Sequence, residues 1–282
     1  MQKRKIAAAG LLLVLLVGAA MTAYPLFSVR YHERHQSVVL AKYQETVEAA
    51  EDADLQAARA AARQYNEQLL LGVAFGKEAA AGPRYEELLN LSGDGMMGYV
   101  TIPSIHVTLP IYHGTGALTL EKGAGHLIGT SLPIGGIGTH AVISAHTGMA
   151  TDRMFTDLGA LKTGDHFVLQ VLGQELFYEV DQILTVLPTQ MNALKIDATQ
   201  DYVTLLTCTP YGVNSHRLLV RGHRIEATQA ERQAIENTEF AQSASTWDAK
   251  YRQGIRIGCA IAAAIGAVFA VVLLLRRKRG GK

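Results

Sequence analysis

The sequence predicts a mainly β protein, a barrel or sandwich on an N-terminal helical arm, flanked by two membrane-spanning helices. Three observations predict it. Long apolar runs stand near both ends, a helix-forming stretch follows the first, and short β-branched and aromatic runs separated by turn residues fill the middle.

Ile6 to Phe27, IAAAGLLLVLLVGAAMTAYPLF, carries no charge and is long enough to cross a hydrocarbon core of about 30 Å as a helix. It exceeds the roughly 7–15 residues of a secretory h-region, so it reads as an uncleaved anchor. The alternative is a signal cleaved near GAAMTA. A second span covers residues 255–275, where Ile257 to Leu275 is apolar throughout. Basic residues mark the cytoplasmic side of membrane helices. Lys3, Arg4 and Lys5 in tail 1–5, and Arg276, Arg277, Lys278 and Arg279 in tail 276–282, therefore place both termini inside the cell. The chain between the spans is expected to be extracytoplasmic.

The 282 residues hold 26 Lys and Arg against 25 Asp and Glu, a formal net charge of +1. With the basic residues gathered in the tails, nothing points to nucleic-acid binding.

Residues 28–94 form the expected arm, with a possible lid. Val38 to Leu71 lacks Gly and Pro and is rich in Ala, Glu, Gln, Arg and Leu, which predicts one long or two shorter helices. GVAFGKEAAAGP (72–83) breaks that pattern, and Tyr85 to Leu91 can add one helical turn.

Residues 95–226 form the expected β domain. Strands are predicted at Met97–Ile102, Val107–Tyr112, His140–Ala145, His166–Leu172, Glu175–Leu187, Tyr202–Cys208 and Arg217–Ile225, with a tight hairpin at LGQE, 172–175. Residues 227–254 form a polar, helical juxtamembrane linker.

The chain has two cysteines, one of them, Cys259, inside the second span. The membrane keeps it from Cys208, so Cys208 is an unpaired thiol in a compartment that normally pairs structural cysteines. It is either an inert buried residue or a nucleophile. A working thiolate needs a histidine or cation beside it. His146, ending its own β run in HAVISAHTGM, is a candidate base, though a lone histidine is more often a satisfied structural residue. If 204–208 and 217–225 are neighbouring antiparallel strands, Arg217 opens its strand where Cys208 closes the other. It would then favour the thiolate and hold an oxyanion. The alternative for Arg217 is a rim salt bridge, and Arg221 and Arg224 lie further along the strand. The papain and caspase contexts are absent, and one outer cysteine cannot build a zinc site. His32 and His35 in YHERH are a minor metal possibility.

TLLTC followed by TPYGVNSHRLLVRG resembles the active-site and arginine strands of sortases, closest to the class C, pilin-polymerising branch. GYVTIPSI, HLIGTSLPIGGIGTHAVISAHTGM, FTDLGALKTGD and YEVDQI resemble further sortase segments, so the likeness runs from about Gly95 to Ile225. It implies an eight-stranded sortase-type β-barrel with no cofactor and no metal. Cys208 is implied as nucleophile, His146 as general acid and base, and Arg217 as oxyanion or substrate stabiliser. The implied reaction cleaves an LPXTG-type signal between Thr and Gly and passes the acyl group to an amine. For class C that amine is a lysine of another pilin at the surface of a Gram-positive cell. A peptidoglycan cross-bridge amine and a non-enzymatic membrane assembly factor are the other readings. Two features depart from the class C pattern. AHTG (145–148) stands where GHRG is common, and GVAFGKEAAAGPRY lacks the Asp-Pro-aromatic lid motif. Phe75 is the candidate lid aromatic, or else an apolar contact of the arm. SLPIGG at 131–136 mimics a sorting signal but matches a sortase loop.

Overall fold

A computed structural model describes Gly18 and residues 37–71, 85–147, 153–229 and 232–233. All but Gly18 fall in one compact unit, Tyr24–Gln242. No helix among the described residues is long and apolar enough to cross a membrane. The apolar stretches at 6–27 and 255–275 lie outside the described residues, apart from Gly18.

Eight strands close into a barrel. They are β1 (Met96–Ile102), β2 (Val107–His113), β3 (Ala124–His126), β4 (Thr139–Ser144), β5 (His166–Val171), β6 (Gln174–Val186), β7 (Asp201–Thr209) and β8 (His216–Arg224). Their order around the barrel is β1-β2-β3-β4-β7-β8-β6-β5, with parallel pairs at β2–β3 and β4–β7 and antiparallel pairs elsewhere. Seven strands match runs expected from the sequence to within about a residue at most ends. The eighth, β3, is only the three residues AGH, too short to show a period.

Alternation along the strands separates an inner from an outer face. On β7, Val203 and Leu205 face inward and join Val100, Leu169, Phe167, Tyr178 and Val220 in the core. Phe167 and Tyr178 stack with centroids 5.5 Å apart. At Gly222 an added Cβ would meet Phe167 at 2.6 Å, so the core closes on a glycine there. Burying one such large apolar side chain is worth roughly 1.5–3 kcal/mol, and this cluster is the main cohesive term of the barrel.

The β5–β6 hairpin turns through Leu172 (φ 51°) and Gly173 (φ 73°), the two positive values of a type I′ turn. The arm grips it. Described helical residues 37–49 form α1, and Asp52–Leu70 forms α2. The two part at Glu51, whose backbone is extended (ψ 145°), and Asp52 and Asp54 place negative charge on the first turn of α2. The Tyr43 hydroxyl of α1 donates to the Met97 carbonyl at 2.9 Å and accepts the Leu172 N–H at 3.1 Å. Arg59 of α2 donates to the Leu172 carbonyl. Ala62, with Tyr65 and Asn66 three and four residues on, forms the buried stripe of α2. Near the end of the arm, the predicted helical turn is the short 3₁₀ segment Tyr85–Glu87. It delivers the Tyr85 hydroxyl to Nδ1 of buried His126, 2.8 Å away. Beyond the barrel the linker is described only to residue 229 and at 232–233, where Arg232 pairs with Glu175 at 3.1 Å.

Candidate active site

The antiparallel ladder of β7 and β8 sets Cys208 directly opposite Arg217, one pair before its end at Thr209 and His216. Residues opposite each other in a ladder project on the same face. The inward positions of β7 are 203 and 205, so Cys208 and Arg217 belong to the outer face. Both are half-buried.

His146 reaches the same rim by a different route. β4 runs parallel to β7 with Ser144 opposite Leu206, and the Ala145 N–H continues the ladder to the Leu206 carbonyl at 3.1 Å. Two places further on, the register puts His146 level with Cys208. Parity agrees, because Val142 of β4 packs in the outer cluster with Leu219, Leu206 and Leu184. The Thr207 hydroxyl, buried, donates to the Ala145 carbonyl at 2.8 Å and ties the two strand ends together beside the cysteine. Below His146 the chain is pinned by the Phe155 N–H, which donates to the His146 carbonyl at 3.0 Å, and by the fully buried Phe155 and Leu158.

The outer face beneath this rim is a floor of apolar side chains. Val142, Leu206 and Leu219 line it, and the turn Asn192–Leu194 closes over it with Leu194 buried against them. Further down, polar groups satisfy one another. His140 Nδ1 donates to the Lys195 carbonyl at 2.9 Å, and the Thr204 hydroxyl meets Nε2 at 2.7 Å. Burial, opposed by the bond to Lys195, pushes the His140 pKa down, which matches a neutral ring in this network.

The three arginines of β8 have separate fates. Arg221 is held by Asp181 through two bonds of 3.0 and 2.8 Å, and its guanidinium lies 4.1 Å from the Tyr202 ring centroid. Hydrogen bonding to Asp181 raises its pKa further. Arg224 stands over Tyr178 at 5.6 Å, near buried Asp201. Arg217 pairs with no carboxylate among the described residues. It donates only to the carbonyls of Asn214 at 3.1 Å and His216 at 3.0 Å. The rim salt bridge considered from sequence does not form among the described residues.

Residues 100–225 match the family model for the sortase domain. The chain is 42% identical to sortase C1 from Streptococcus agalactiae, covering 67% of this chain and 99% of that one at a TM-score of 0.62. The chain belongs to the sortase family. A second solved sortase, the Clostridium perfringens sortase C with the C-terminal cell wall sorting motif, is 43% identical. There the match covers 68% of this chain and all of that one at a TM-score of 0.61. Sortase A of Bacillus anthracis is 29% identical over 142 residues, which is 50% of this chain and 66% of that protein. The chain thus spans about two-thirds, or less, of the curated sortases it matches.

Sortases are cysteine transpeptidases, and the sortase barrel here places a thiol, an imidazole and a guanidinium on one rim. Among the described residues no group of three or more His, Cys, Asp or Glu side chains is arranged to hold a metal. Phe75, His32 and His35 lie outside the described residues. Two contributors carry no flag in the sequence reading. Thr207 stands inside the quoted motif with no role given to it. Asn214 holds a left-handed backbone (φ 58°), for which the available signal is an asparagine in a turn.

Proposed function

We propose that this sortase is a class C enzyme that cleaves LPXTG-type sorting signals and joins their threonine to a lysine of another pilin. The observation that carries the reading is the shared outer rim of His146, Cys208 and Arg217 beside an apolar floor. Its solved relatives, sortase C1 and a sortase C, are alike over nearly their whole length.

In the proposed reaction the Cys208 sulfur attacks the threonine carbonyl carbon of the signal. A C–S bond forms, and the oxyanion is held by Arg217, whose guanidinium no carboxylate among the described residues neutralises. Collapse breaks the C–N bond to glycine, and His146, carrying the proton it took from the Cys208 thiol, delivers that proton to the nitrogen so the amine can leave. A thioester remains. The acceptor amine attacks it, His146 removes the amine's proton, a new amide forms and the thiolate departs. Both half-reactions conserve protons and electrons, so neither requires a redox partner.

The spans at 6–27 and 255–275 would hold the barrel outside the cell, where exported substrates are presented. A wall-anchoring activity is the second reading, favoured by the lack of Asp-Pro in GVAFGKEAAAGPRY.

The test is to supply the full chain, in detergent, with an LPXTG peptide and two competing acceptors, a pilin lysine and a cross-bridge peptide. Mass spectrometry then identifies the amine joined to threonine. A lysine isopeptide supports the class C reading, a cross-bridge product supports wall anchoring, and no joined product removes both.

A further inference from the structure

β7 ends at Thr209 and β8 begins at His216, so six residues turn the chain and set where Arg217 starts. The Pro210 carbonyl accepts the N–H groups of Val213 at 3.0 Å and Asn214 at 2.9 Å. That turn brings Asn214 into the left-handed region, at φ 58°. Its carbonyl consequently points back toward β8 and accepts Arg217 Nη1 at 3.1 Å, while the His216 carbonyl accepts the same nitrogen at 3.0 Å. A guanidinium carries five N–H donors in a rigid fork. The turn engages those of one terminal nitrogen and leaves Nε and Nη2 without a protein partner among the described residues.

Asn214 is exposed, and its own side chain has no bond among the described residues. Its contribution is therefore conformational. Asparagine tolerates the left-handed region far better than other residues with a side chain, and only glycine does so more readily.

We propose that Asn214 is a positioning residue for Arg217: its left-handed backbone aims a carbonyl that clamps one end of the guanidinium, so the other end is presented to the reacting carbonyl. This rests on the reading of Arg217 as oxyanion stabiliser and deepens it. A clamp made of neutral carbonyls orients the fork without cancelling its charge, which a carboxylate partner would do. The consequence is an arginine fixed in place yet still able to stabilise a developing negative charge.

The test compares Asn214→Gly, Asn214→Val and Arg217→Ala in the full chain, with and without the second substitution. Valine in the left-handed region depopulates the turn, and kcat should fall about tenfold with KM little changed. Glycine keeps the backbone and should stay within about twofold of the parent. In the Arg217→Ala background the valine substitution should cost nothing further. Full activity in Asn214→Val, equal loss in Asn214→Gly, or an undiminished valine penalty without Arg217 would each overturn the proposal. Nitrogen-15 spectra of the Arg217 side chain read the clamp independently of turnover. A resonance that shifts in Asn214→Val but not Asn214→Gly supports it even if no substrate is processed, and an unmoved one refutes it.

Discussion

Asn66 stands to Leu132 as a neighbouring strand would. Its amide donates to the Leu132 carbonyl at 3.1 Å and accepts the Leu132 N–H at 2.7 Å, both within the buried interior. One side chain of α2 thereby satisfies both backbone groups of a loop residue in SLPIGG. The arm is joined to the barrel by directional bonds as well as apolar contact.

Replacing Asn66 with alanine leaves the Leu132 N–H buried and unpaired, while the Leu132 carbonyl keeps the Ile134 N–H at 2.8 Å. The expected loss is about 2 kcal/mol, from the range for unsatisfied buried groups. Chemical unfolding of the full chain measures it. Asn66→Leu should be no better, because volume is not what the site lacks.

Cys208→Ala removes the proposed nucleophile from the outer face, where the side chain is half-buried and outside the core. The substitution should abolish both the thioacyl adduct and the joined product while moving the unfolding midpoint little. A C208A protein that still joins peptides would end the proposed role of the thiol.

Arg217 and Arg221 stand four residues apart on β8 and should fail in opposite ways. Arg221→Ala strips Asp181 and Tyr202 of their partner and should lower stability by about 1 kcal/mol, discounted for partial exposure, with activity retained. Arg217→Ala should leave stability nearly unchanged and reduce kcat about 10²-fold to 10³-fold, the scale for losing an oxyanion donor. Steady-state kinetics and thermal unfolding on both variants separate the cases. Matching behaviour of the two would contradict the assignment.

His126 gives a pH dependence. It is fully buried, and burial, partly offset by its bond to the Ser131 carbonyl, pushes its pKa from 6.5 down to about 4. Below pH 6.5 the unfolded chain takes up a proton that the folded chain refuses. Stability from this group is therefore complete above pH 6.5 and is lost as the pH falls toward about 4, by about 3 kcal/mol in all. Unfolding curves across that window should be steeper in the parent than in His126→Gln, and parallel curves would rule out His126 as the source.

Much of this was legible from residue patterns, and the gaps have physical causes. Seven strands, the LGQE hairpin and the juxtaposition of Cys208 with Arg217 follow from periodicity and one short loop. The register that brings His146 level with Cys208 does not, since it rests on a parallel contact between strands 62 places apart (Ser144 with Leu206). No local signal encodes that. β3 escaped because three residues, AGH, complete a barrel by backbone pairing alone. The helix break at Glu51 lacks Gly and Pro, and tertiary docking of Tyr43 and Arg59 onto one hairpin settles it. Thr207 and Asn214 act through carbonyls, their own or a neighbour's, and a backbone group leaves little trace in residue identity.

On β7, Val203 and Leu205 fill the interior while Leu206 and Cys208 belong to the outer face. A slip of one residue would send Cys208 inside and Thr207 out. Closure forbids that slip, because every strand is held by two neighbours and none has a free edge. The register that fills the core with Val203 and Leu205 is therefore the same one that holds Cys208 on the rim opposite Arg217. Fold stability and the placement of the proposed nucleophile are thus set by one choice of register.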